Sequence, residues 1–321
     1  MVALYVERLI DMKFLITGDL HLRASNPENR IDNFFETQLS KVEQIFQIAT
    51  KNRCEYILCP GDVFDNPRPS FDVLEYYIKL FNKYSINNGN NNEIQFLTVW
   101  GQHDQRFRTK DRTALKLMES LGYMQTFKHI TFGKYIDLYG CDYGDEIPVI
   151  EDMDNFNILL IHKTILEKPI WKGQEDFLQS DKLAKKYPYD IIISGDWHHP
   201  VFYKYKEQTI VNCGCLVRKT LNEADLIPHV YMLEIKDGDL TYELINSPII
   251  HKPADVVFKP EALERTDKKE NQKLQEFINS IKNNEIGSSL NFRKNLELMM
   301  KSTEENVKNI IVKELENLET N

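Results

Sequence analysis

Carboxylate and imidazole side chains follow directly after several short apolar runs in this sequence. In chain order these polar residues, with one carboxamide among them, are Asp19, His21, Asp62, Gln102, His103, Asp104, His162, Asp196 and His198. A ligand set of carboxylate oxygens and imidazole nitrogens, without thiolates, is typical of sites that bind Mn, Fe, Zn or Mg, and not of structural zinc sites. The pattern therefore predicts a centre that binds divalent metal ions.

The local spacing supports the same interpretation. Asp19 and His21 are two residues apart, so both side chains lie on one face of an extended segment, as ligands of a shared metal would. A glycine close before Asp19, Asp62, Gln102 and Asp196 lets the backbone turn sharply there. Each signal alone has an ordinary explanation as a turn or a buried core histidine. Polar residues of this kind follow five separate apolar runs, and this repetition favours the functional interpretation.

Short apolar strands alternate with helical stretches, which is typical of a layered α/β domain. The predicted buried strands are Phe14–Thr17, Tyr56–Cys59, Ile94–Val99, Ile158–Ile161 and Ile191–Ile193. The predicted helices are Ile31–Asn52, Phe71–Tyr84 and Arg112–Leu121. Further strands are predicted at His129–Leu138, Thr209–Val217 and His229–Leu244, the last with a hairpin turn at Asp237-Gly238. Ligands of such sheets bind at the carboxyl ends of strands, where the polar residues fall.

The overall composition narrows the function further. A net charge of −9 argues against wholesale electrostatic binding of nucleic acid, although local basic strips can still bind phosphates. No apolar run approaches the roughly 18–20 residues needed to cross a bilayer, so no membrane association is expected. The cysteines are five in number and lack zinc-type spacing, which favours reduced thiols and a cytoplasmic location.

The chain is predicted to have three parts. Residues 1–12 are interpreted as an amino-terminal extension, and residues 13–250 as a catalytic domain. Residues 251–321 change in character, with mixed charges and apolar stripes at helical spacing. They are predicted to form a helical module that caps DNA or binds a partner, or simply a helical pair packed on the core.

The order and strand context of these motifs resemble the calcineurin-like metallophosphoesterases, whose pattern is DxH, GD, GNH(D/E), H and GHxH. The resemblance covers roughly residues 13–245. Within the family, the stretch GDVFD and the block Asn212–Arg218 look most like SbcD-type DNA exonucleases, including phage-encoded versions. The resemblance implies a layered sandwich with helices outside and a dimetal site at the carboxyl ends of strands.

The resemblance also implies roles for individual residues. The first metal would be held by Asp19, His21 and His198, and Asp62 would bridge both metals. The second metal would take Asp62, Gln102, His162 and Asp196. His103 would protonate the leaving oxygen or stabilise phosphoryl charge, and Asp104 would orient His103. A water or hydroxide between metals about 3.5–4 Å apart would attack phosphorus in line with the leaving group.

Two residues depart from the family pattern, and both belong to the second metal. Gln102 stands where the family has Asn, and Asp196 stands where it has the first His of GHxH. The extra carboxylate is expected to move the preference towards hard ions, with Mn²⁺ first and Mg²⁺, Fe and Zn²⁺ as alternatives. A weakened or empty second site is the other interpretation. His199 is less favoured as a replacement ligand, because successive side chains on a strand alternate in direction.

Basic residues near the predicted centre suggest a polynucleotide substrate. Arg106, Arg108 and Lys110 surround Phe107 just after the predicted catalytic histidine, and Arg218 follows the Cys-Gly-Cys turn. These four cations are predicted to contact substrate phosphates. A solvated, charged loop is the alternative interpretation.

The predicted function is a two-metal phosphodiesterase that hydrolyses DNA, as an SbcD-like exonuclease or an endonuclease, in repair, recombination or replication. The alternatives are a small-substrate phosphatase or nucleotide phosphodiesterase of the same fold, and a catalytically weak scaffold. The resemblance further implies a coiled-coil ATPase partner of the SbcC type, bound through the helical module, and a homodimer.

Deleting residues 260–321 is expected to abolish co-purification with a coiled-coil ATPase partner, because the predicted helical module supplies that contact. Metal content of the truncated protein, measured by elemental analysis, should stay at the full-length value. An intact complex after the truncation would contradict the prediction.

Overall fold

The structure is a computed structural model, and it describes residues 11–84, 94–107, 109–170, 174–236 and 240–264. The strands of these residues are β1 (Met12–Ile16), β2 (Tyr56–Cys59), β3 (Gln95–Thr98), β4 (Gln125–Thr126), β5 (His129–Phe132), β6 (Ile136–Cys141), β7 (Phe156–Ile161), β8 (Ile165–Leu166), β9 (Leu178–Gln179), β10 (Ile191–Ser194), β11 (Val201–Tyr205), β12 (Gln208–Asn212), β13 (His229–Lys236) and β14 (Thr241–Pro248). The helices are α1 (Phe34–Asn52), α2 (Phe71–Tyr84), α3 (Ala114–Ser120), α4 (Ser180–Lys186) and α5 (Ala254–Val257).

The strands form two six-stranded sheets and one short two-stranded sheet. The first sheet has the order β14-β13-β1-β2-β3-β4, the second has the order β11-β12-β10-β7-β6-β5, and β8 pairs with β9. Strands β1 to β4 are parallel, and so are β6, β7, β10 and β12. The carboxyl ends of each parallel set therefore meet along one edge of its sheet.

The two large sheets pack face to face through an apolar layer. Phe14 and Ile16 of β1 share this layer with Ile158 of β7 and Ile191 of β10. Leu15 points the other way and packs with residues of α1, α2 and α3, because side chains alternate along a strand. Helix α4 covers the outer face of the second sheet. Both faces of each sheet are covered, which explains why the parallel strands read as continuous apolar runs.

The predicted fold class is confirmed: the protein is a layered α/β sandwich with helices outside. Strand β2 and helix α2 have the predicted bounds. Helix α1 begins later than predicted, because the Asn33 side chain accepts a hydrogen bond from the Glu36 backbone N–H and so caps the helix at Asn33. Helix α3 begins after Thr113 for the same reason.

Two strand predictions required correction. The continuous strand predicted over His129–Leu138 is a hairpin, in which β5 and β6 run antiparallel. The chain reverses where Gly133 has φ +58°, a conformation that favours glycine. The strand predicted over Thr209–Val217 ends at Asn212, and the chain then turns at Gly214, whose φ is +73°. The hairpin of β13 and β14 is confirmed by its antiparallel pairing; its turn lies outside the described residues.

The turn at Gly214 lies against the first strand end. A Cβ added to Gly18 would lie 1.7 Å from the Gly214 carbonyl oxygen, so the two backbones meet there without room for a side chain. Asp19 and Cys215 form an isolated bridge beside this contact. The end of β1 is thereby fixed to the segment that follows β12.

The thiols lie in the interior of the protein. All five cysteines are free and buried. In the part of the chain that the structure describes, no helix combines the length and apolar character required to cross a bilayer.

Residues 251–259 pack on the sandwich. The first compact unit of the chain extends to Lys259, and the second comprises Pro260–Asn321. Phe258 is fully buried, the Arg30 guanidinium lies 5.2 Å from its ring, and the Ile31 N–H donates to the Val257 carbonyl at 2.9 Å. The helical stripes predicted further along, in residues 265–321, lie outside the described residues.

Replacing Phe258 with Ala is expected to lower the free energy of unfolding by about 3–5 kcal/mol, because it leaves a cavity where a buried aromatic ring stood. Urea unfolding followed by circular dichroism measures the loss. Val256→Ala, two residues earlier in α5, is the control: Val256 is exposed, so this substitution should change the value by at most about 0.5 kcal/mol. Equal effects of the two substitutions would show that this segment does not stabilise the sandwich.

Candidate metal centre

The polar residues singled out in the sequence converge where strands of both sheets end. Among the described residues, three groups of side chains bring possible metal donor atoms within 4.8 Å of one another. The groups are Asp19 with His21 and His198, His21 with Asp62 and His103, and Asp19 with Asp62 and His162. Because the groups share members, they form one continuous cluster with the donor types of a divalent metal site.

Asp62 lies at the centre of this cluster. Its carboxylate is 1% exposed, and its Oδ2 lies 3.3 Å from Nε2 of His162, 3.6 Å from Nε2 of His21 and 4.0 Å from Nε2 of His103. Burial raises the pKa of Asp62, but the surrounding histidines outweigh burial and hold the pKa well below its usual range. The carboxylate is therefore ionised and placed between several imidazoles.

Three of the candidate ligand residues have strained backbone conformations. His21 and Asp62 both have φ +47°, and Asp196 has φ +70°, values that residues with a Cβ rarely adopt. A Cβ added to Gly101 would lie 2.1 Å from Oδ1 of Asp62. The loop after β3 thus packs directly on the central carboxylate, which also accepts a hydrogen bond from the His103 N–H at 2.8 Å.

Asp19 and His162 each direct a buried, unpartnered atom into the cluster. Neither Oδ1 of Asp19 nor Nε2 of His162 has a hydrogen-bond partner. The His162 Nδ1–H donates to the Pro60 carbonyl at 2.7 Å, so Nε2 is the ring nitrogen that faces the cluster. These unpartnered atoms are what a metal ion would satisfy, so the residues fit such an ion.

The electrostatics of the cluster agree with this fit. Burial raises the pKa of Asp19 to about 7, against the influence of His162. Burial lowers the pKa of His162, but Asp62 and Asp19 raise it more, to about 10. The buried carboxylates therefore attract positive charge to this position, where a divalent cation would satisfy them better than a proton.

His21 and His198 direct their rings at the same point. Their Nε2 atoms are 3.0 Å apart, and Asp19 belongs to the same group. The opposite nitrogen of His198, Nδ1, lies 2.9 Å from Oε1 of Glu223. This contact orients the ring and leaves Nε2 available for a metal, as in carboxylate–histidine–metal arrangements.

Glu223 is a residue that the sequence analysis missed. It is 3% exposed, and its Oε2 accepts hydrogen bonds from the backbone N–H groups of Lys219 and Thr220. Burial raises its pKa, but the hydrogen bond from His198 outweighs this, so that the pKa is lowered to about 2. The spacing of Thr220 and Glu223 matches a capping box, a signal for a helical turn rather than for a metal centre.

The role predicted for Asp104 requires correction. Asp104 is fully buried, and its carboxylate accepts hydrogen bonds from the N–H groups of Val63 (3.2 Å), Phe64 (2.9 Å) and Gly101 (3.2 Å). It therefore joins the loops after β2 and β3. His103 is instead oriented by the carbonyl of Asp65, 3.0 Å from its Nδ1.

Asp196, predicted as a ligand of the second metal, is hydrogen-bonded to two neighbouring side chains. Its Oδ1 accepts a hydrogen bond from Nε2 of Gln102 at 3.0 Å, and its Oδ2 accepts two from Thr164. It belongs to none of the three groups found among the described residues. His199 stacks on Trp197, with ring centroids 5.0 Å apart, rather than joining the cluster.

Three of the four residues predicted to contact substrate phosphates lie within the described residues, and their surroundings differ. Arg218 is 4% exposed and donates to the carbonyls of Ala224 and Lys252. It therefore stabilises the fold and does not face a substrate, contrary to the prediction. Arg106 lies over the exposed ring of Phe107 at 5.3 Å, and Lys110 donates to Asp142 at 2.5 Å. Arg108 lies outside the described residues.

A cavity of about 760 Å³ adjoins the cluster at Gln102. Its wall contains two exposed aromatic residues, Phe107 and Tyr143, together with Lys110 and Lys163. The Tyr143 ring centroid is 6.2 Å from that of His162. The cavity therefore combines aromatic faces and cations beside the candidate metal centre.

Residues 12–200 match the family model described as Calcineurin-like phosphoesterase. The protein belongs to the calcineurin-like phosphoesterase family, a class of metal-dependent hydrolases.

Two curated relatives are more specific in their names. The double-strand break repair protein MRE11 of Encephalitozoon cuniculi is 24% identical over 259 residues, which are 67% of this chain and 43% of that protein. The double-strand break repair protein mre-11 of Caenorhabditis elegans is 26% identical over 245 residues, 58% of this chain and 33% of that protein. The chain thus spans less than half the length of either relative.

A solved structure, that of TT1561 from Thermus thermophilus, is 14% identical to this chain. It covers 74% of this chain and 99% of its own length, with a TM-score of 0.42.

Glu223→Gln is expected to lower the affinity for Mn²⁺ about 10- to 100-fold, because a neutral amide orients His198 less well and sets its NH₂ against backbone donors. Isothermal titration of the metal-free protein measures the change. Glu207→Gln, at an exposed position, is the matched control and should bind Mn²⁺ like the parent. Parental affinity in Glu223→Gln would show that the contact with His198 does not support metal binding.

Proposed function

We propose that the protein is a two-metal phosphodiesterase that hydrolyses DNA phosphodiester bonds, as an SbcD-type exonuclease. The observation that carries the proposal is the buried cluster around Asp62, which opens beside a cavity lined by Phe107, Tyr143 and Lys163. The likeness to two proteins named for double-strand break repair supports DNA as the substrate class.

The residues of the cluster divide between two ion positions. Asp19, His21 and His198 would hold the first ion, and His162 with the loop after β3 would hold the second, with Asp62 between them. When bound, the ions would activate a water molecule and neutralise charge on the phosphate. Mn²⁺ is the proposed ion, because the oxygen donors of the site, the carboxylates of Asp19 and Asp62 and the Gln102 carboxamide, suit it.

His103 is the proposed proton donor to the leaving oxygen. Its side chain is 43% exposed, and its Nε2 lies 4.0 Å from Asp62 Oδ2, so it borders the cluster while still facing solvent and substrate. The hydrogen bond between its Nδ1–H and the Asp65 carbonyl fixes the ring. His103 can therefore reach a departing oxygen without ligating an ion itself.

The cavity beside Gln102 supports a nucleotide substrate. Exposed aromatic faces stack on bases of any sequence, and lysines attract the backbone phosphates. Phe107 is 89% exposed, so its ring is accessible for stacking on a base. Arg106 on the same loop adds positive charge beside the cavity, whereas Lys110 is paired with Asp142.

The wider biological setting is part of the proposal. A homodimer, a coiled-coil ATPase partner bound through residues 251–321, and a role in DNA repair, recombination or replication in the cytoplasm follow from the SbcD-type resemblance. The two MRE11 relatives support the role in repair, since their names place them in double-strand break repair.

A small-substrate phosphodiesterase is the second candidate. A cavity of about 760 Å³ falls within the range of sites that enclose small ligands. The two candidate functions assign different importance to the Phe107 loop. A DNA nuclease would use its contacts to bind the substrate bases, whereas an enzyme for small esters would not need them.

The protein is expected to degrade end-labelled single- or double-stranded DNA with Mn²⁺, and less efficiently with Mg²⁺ or Zn²⁺. His103→Ala should lower kcat on DNA by about 10²–10⁴-fold, because it removes the proton donor. Gel analysis of the labelled products measures the rate for each ion.

Phe107→Ala is the discriminating variant in this assay. It should lower DNA cleavage while leaving hydrolysis of bis-p-nitrophenyl phosphate unchanged, since that substrate has no base to stack. Hydrolysis of the small ester with DNA left intact would favour the second candidate. Cleavage by His103→Ala at the parental rate would contradict the assigned site.

A further inference from the structure

We infer that Asp196 is a positioning residue, which turns the Gln102 carboxamide so that its Oε1 serves as the protein ligand of the second ion in place of Asp196. The inference rests on the proposed two-ion site and assigns its two atypical residues different tasks. The family pattern has Asn and His at these positions, so the arrangement belongs to this chain.

The orientation of the Gln102 amide follows from its partner. The Gln102 Nε2 lies 3.0 Å from Asp196 Oδ1. A carboxylate only accepts hydrogen bonds, so the NH₂ end of the amide must face it and the oxygen must face away. The direction of Oε1 is therefore determined by chemistry rather than by an arbitrary assignment of the two amide atoms.

The backbone on both sides of Gln102 contacts the central carboxylate. A Cβ on Gly101 would meet Asp62 Oδ1 at 2.1 Å, and the His103 N–H donates to the same oxygen at 2.8 Å. Gln102 therefore begins at the edge of the cluster, close to Asp62. With its NH₂ end turned to Asp196, the amide has its oxygen left to meet an ion held by Asp62 and His162.

Asp196 has little capacity left for direct ligation. Its Oδ2 accepts hydrogen bonds from the Thr164 N–H at 3.1 Å and the Thr164 hydroxyl at 2.6 Å, and its Oδ1 is bound by Gln102. Its own N–H donates to Asp19 Oδ2 at 2.9 Å. Asp196 thus joins the Asp19 segment, the Gln102 loop and the segment after His162.

This fixation offsets a disadvantage of glutamine as a ligand. Gln has one more methylene and one more torsion than Asn, so an unrestrained Gln102 would lose more side-chain entropy on binding an ion. The hydrogen bond to Asp196 restricts those torsions before the ion binds. A histidine at position 196 would lack the two acceptor oxygens that Gln102 and Thr164 use.

A double-mutant cycle on the full-length protein tests the inference, with Mn²⁺ binding followed by isothermal titration and by the spin-coupled EPR signal of paired Mn²⁺. Gln102→Met, which keeps the side-chain length without the oxygen, should weaken the second ion by more than about 100-fold. Asp196→Asn should weaken it about 10- to 100-fold. The affinity for the first ion and the unfolding midpoint of the metal-free protein should change little in either variant.

The decisive comparison is the effect of Asp196→Asn in two backgrounds. Loss of the negative charge weakens binding in both, but loss of positioning matters only while Gln102 is present. The loss of second-ion affinity caused by Asp196→Asn should therefore be at least tenfold smaller in the Gln102→Met background than in the parent. An equal cost in both backgrounds, or a larger cost for Asp196→Asn than for Gln102→Met, overturns the inference and makes Asp196 a direct ligand.

Failure of the proposed function has a different signature. If the parent protein binds fewer than two Mn²⁺ ions per chain, the two-metal proposal and the inference that rests on it are both overturned. If the parent binds two ions but the cycle shows no coupling, only the positioning role is lost. Gln47→Met, at an exposed helix position, is the matched control and should bind both ions like the parent.

Discussion

The carboxylate of Asp62 is buried among His21, His103 and His162, and much of the surrounding architecture serves to keep it there. A lone buried carboxylate would be strongly destabilising, because its charge loses hydration. Here the imidazoles and the His103 N–H compensate for that loss and keep the carboxylate ionised. The same negative charge would attract a divalent cation to the cluster.

The fold places this charge by bringing strand ends together. The loop after β3 approaches closely because Gly101 has no side chain, and the turn at Gly214 packs on Gly18 for the same reason. Positive φ values at His21, Asp62 and Asp196 show that the surrounding structure holds the backbone in costly conformations at the centre. Asp104 stabilises this arrangement by accepting hydrogen bonds from the amides of two adjacent loops.

The sequence predicted the parts of the site that are local and failed where partners are distant. The layered α/β fold was predicted because apolar strands bounded by Gly-Asp signals are readable in short windows, and the convergence of Asp19 and Asp62 followed from them. Glu223 was missed because its contact with His198 spans 25 residues and its local pattern is that of a helix cap. Arg218 was assigned to substrate because its carbonyl partners at Ala224 and Lys252 come together only in the folded chain.

The chain departs from its family pattern at the second ion, where Gln102 and Asp196 replace Asn and His. Because Gln102 and Asp196 are hydrogen-bonded to each other, the two departures are one coupled change rather than two independent losses. Anomalous diffraction from crystals of the Mn²⁺-loaded protein tests the two-ion site most directly. We expect two peaks separated by Asp62, one beside Asp19 and His198, and the other beside His162 and Gln102. A single peak, or a second ion bound by Asp196 instead of Gln102, would contradict it.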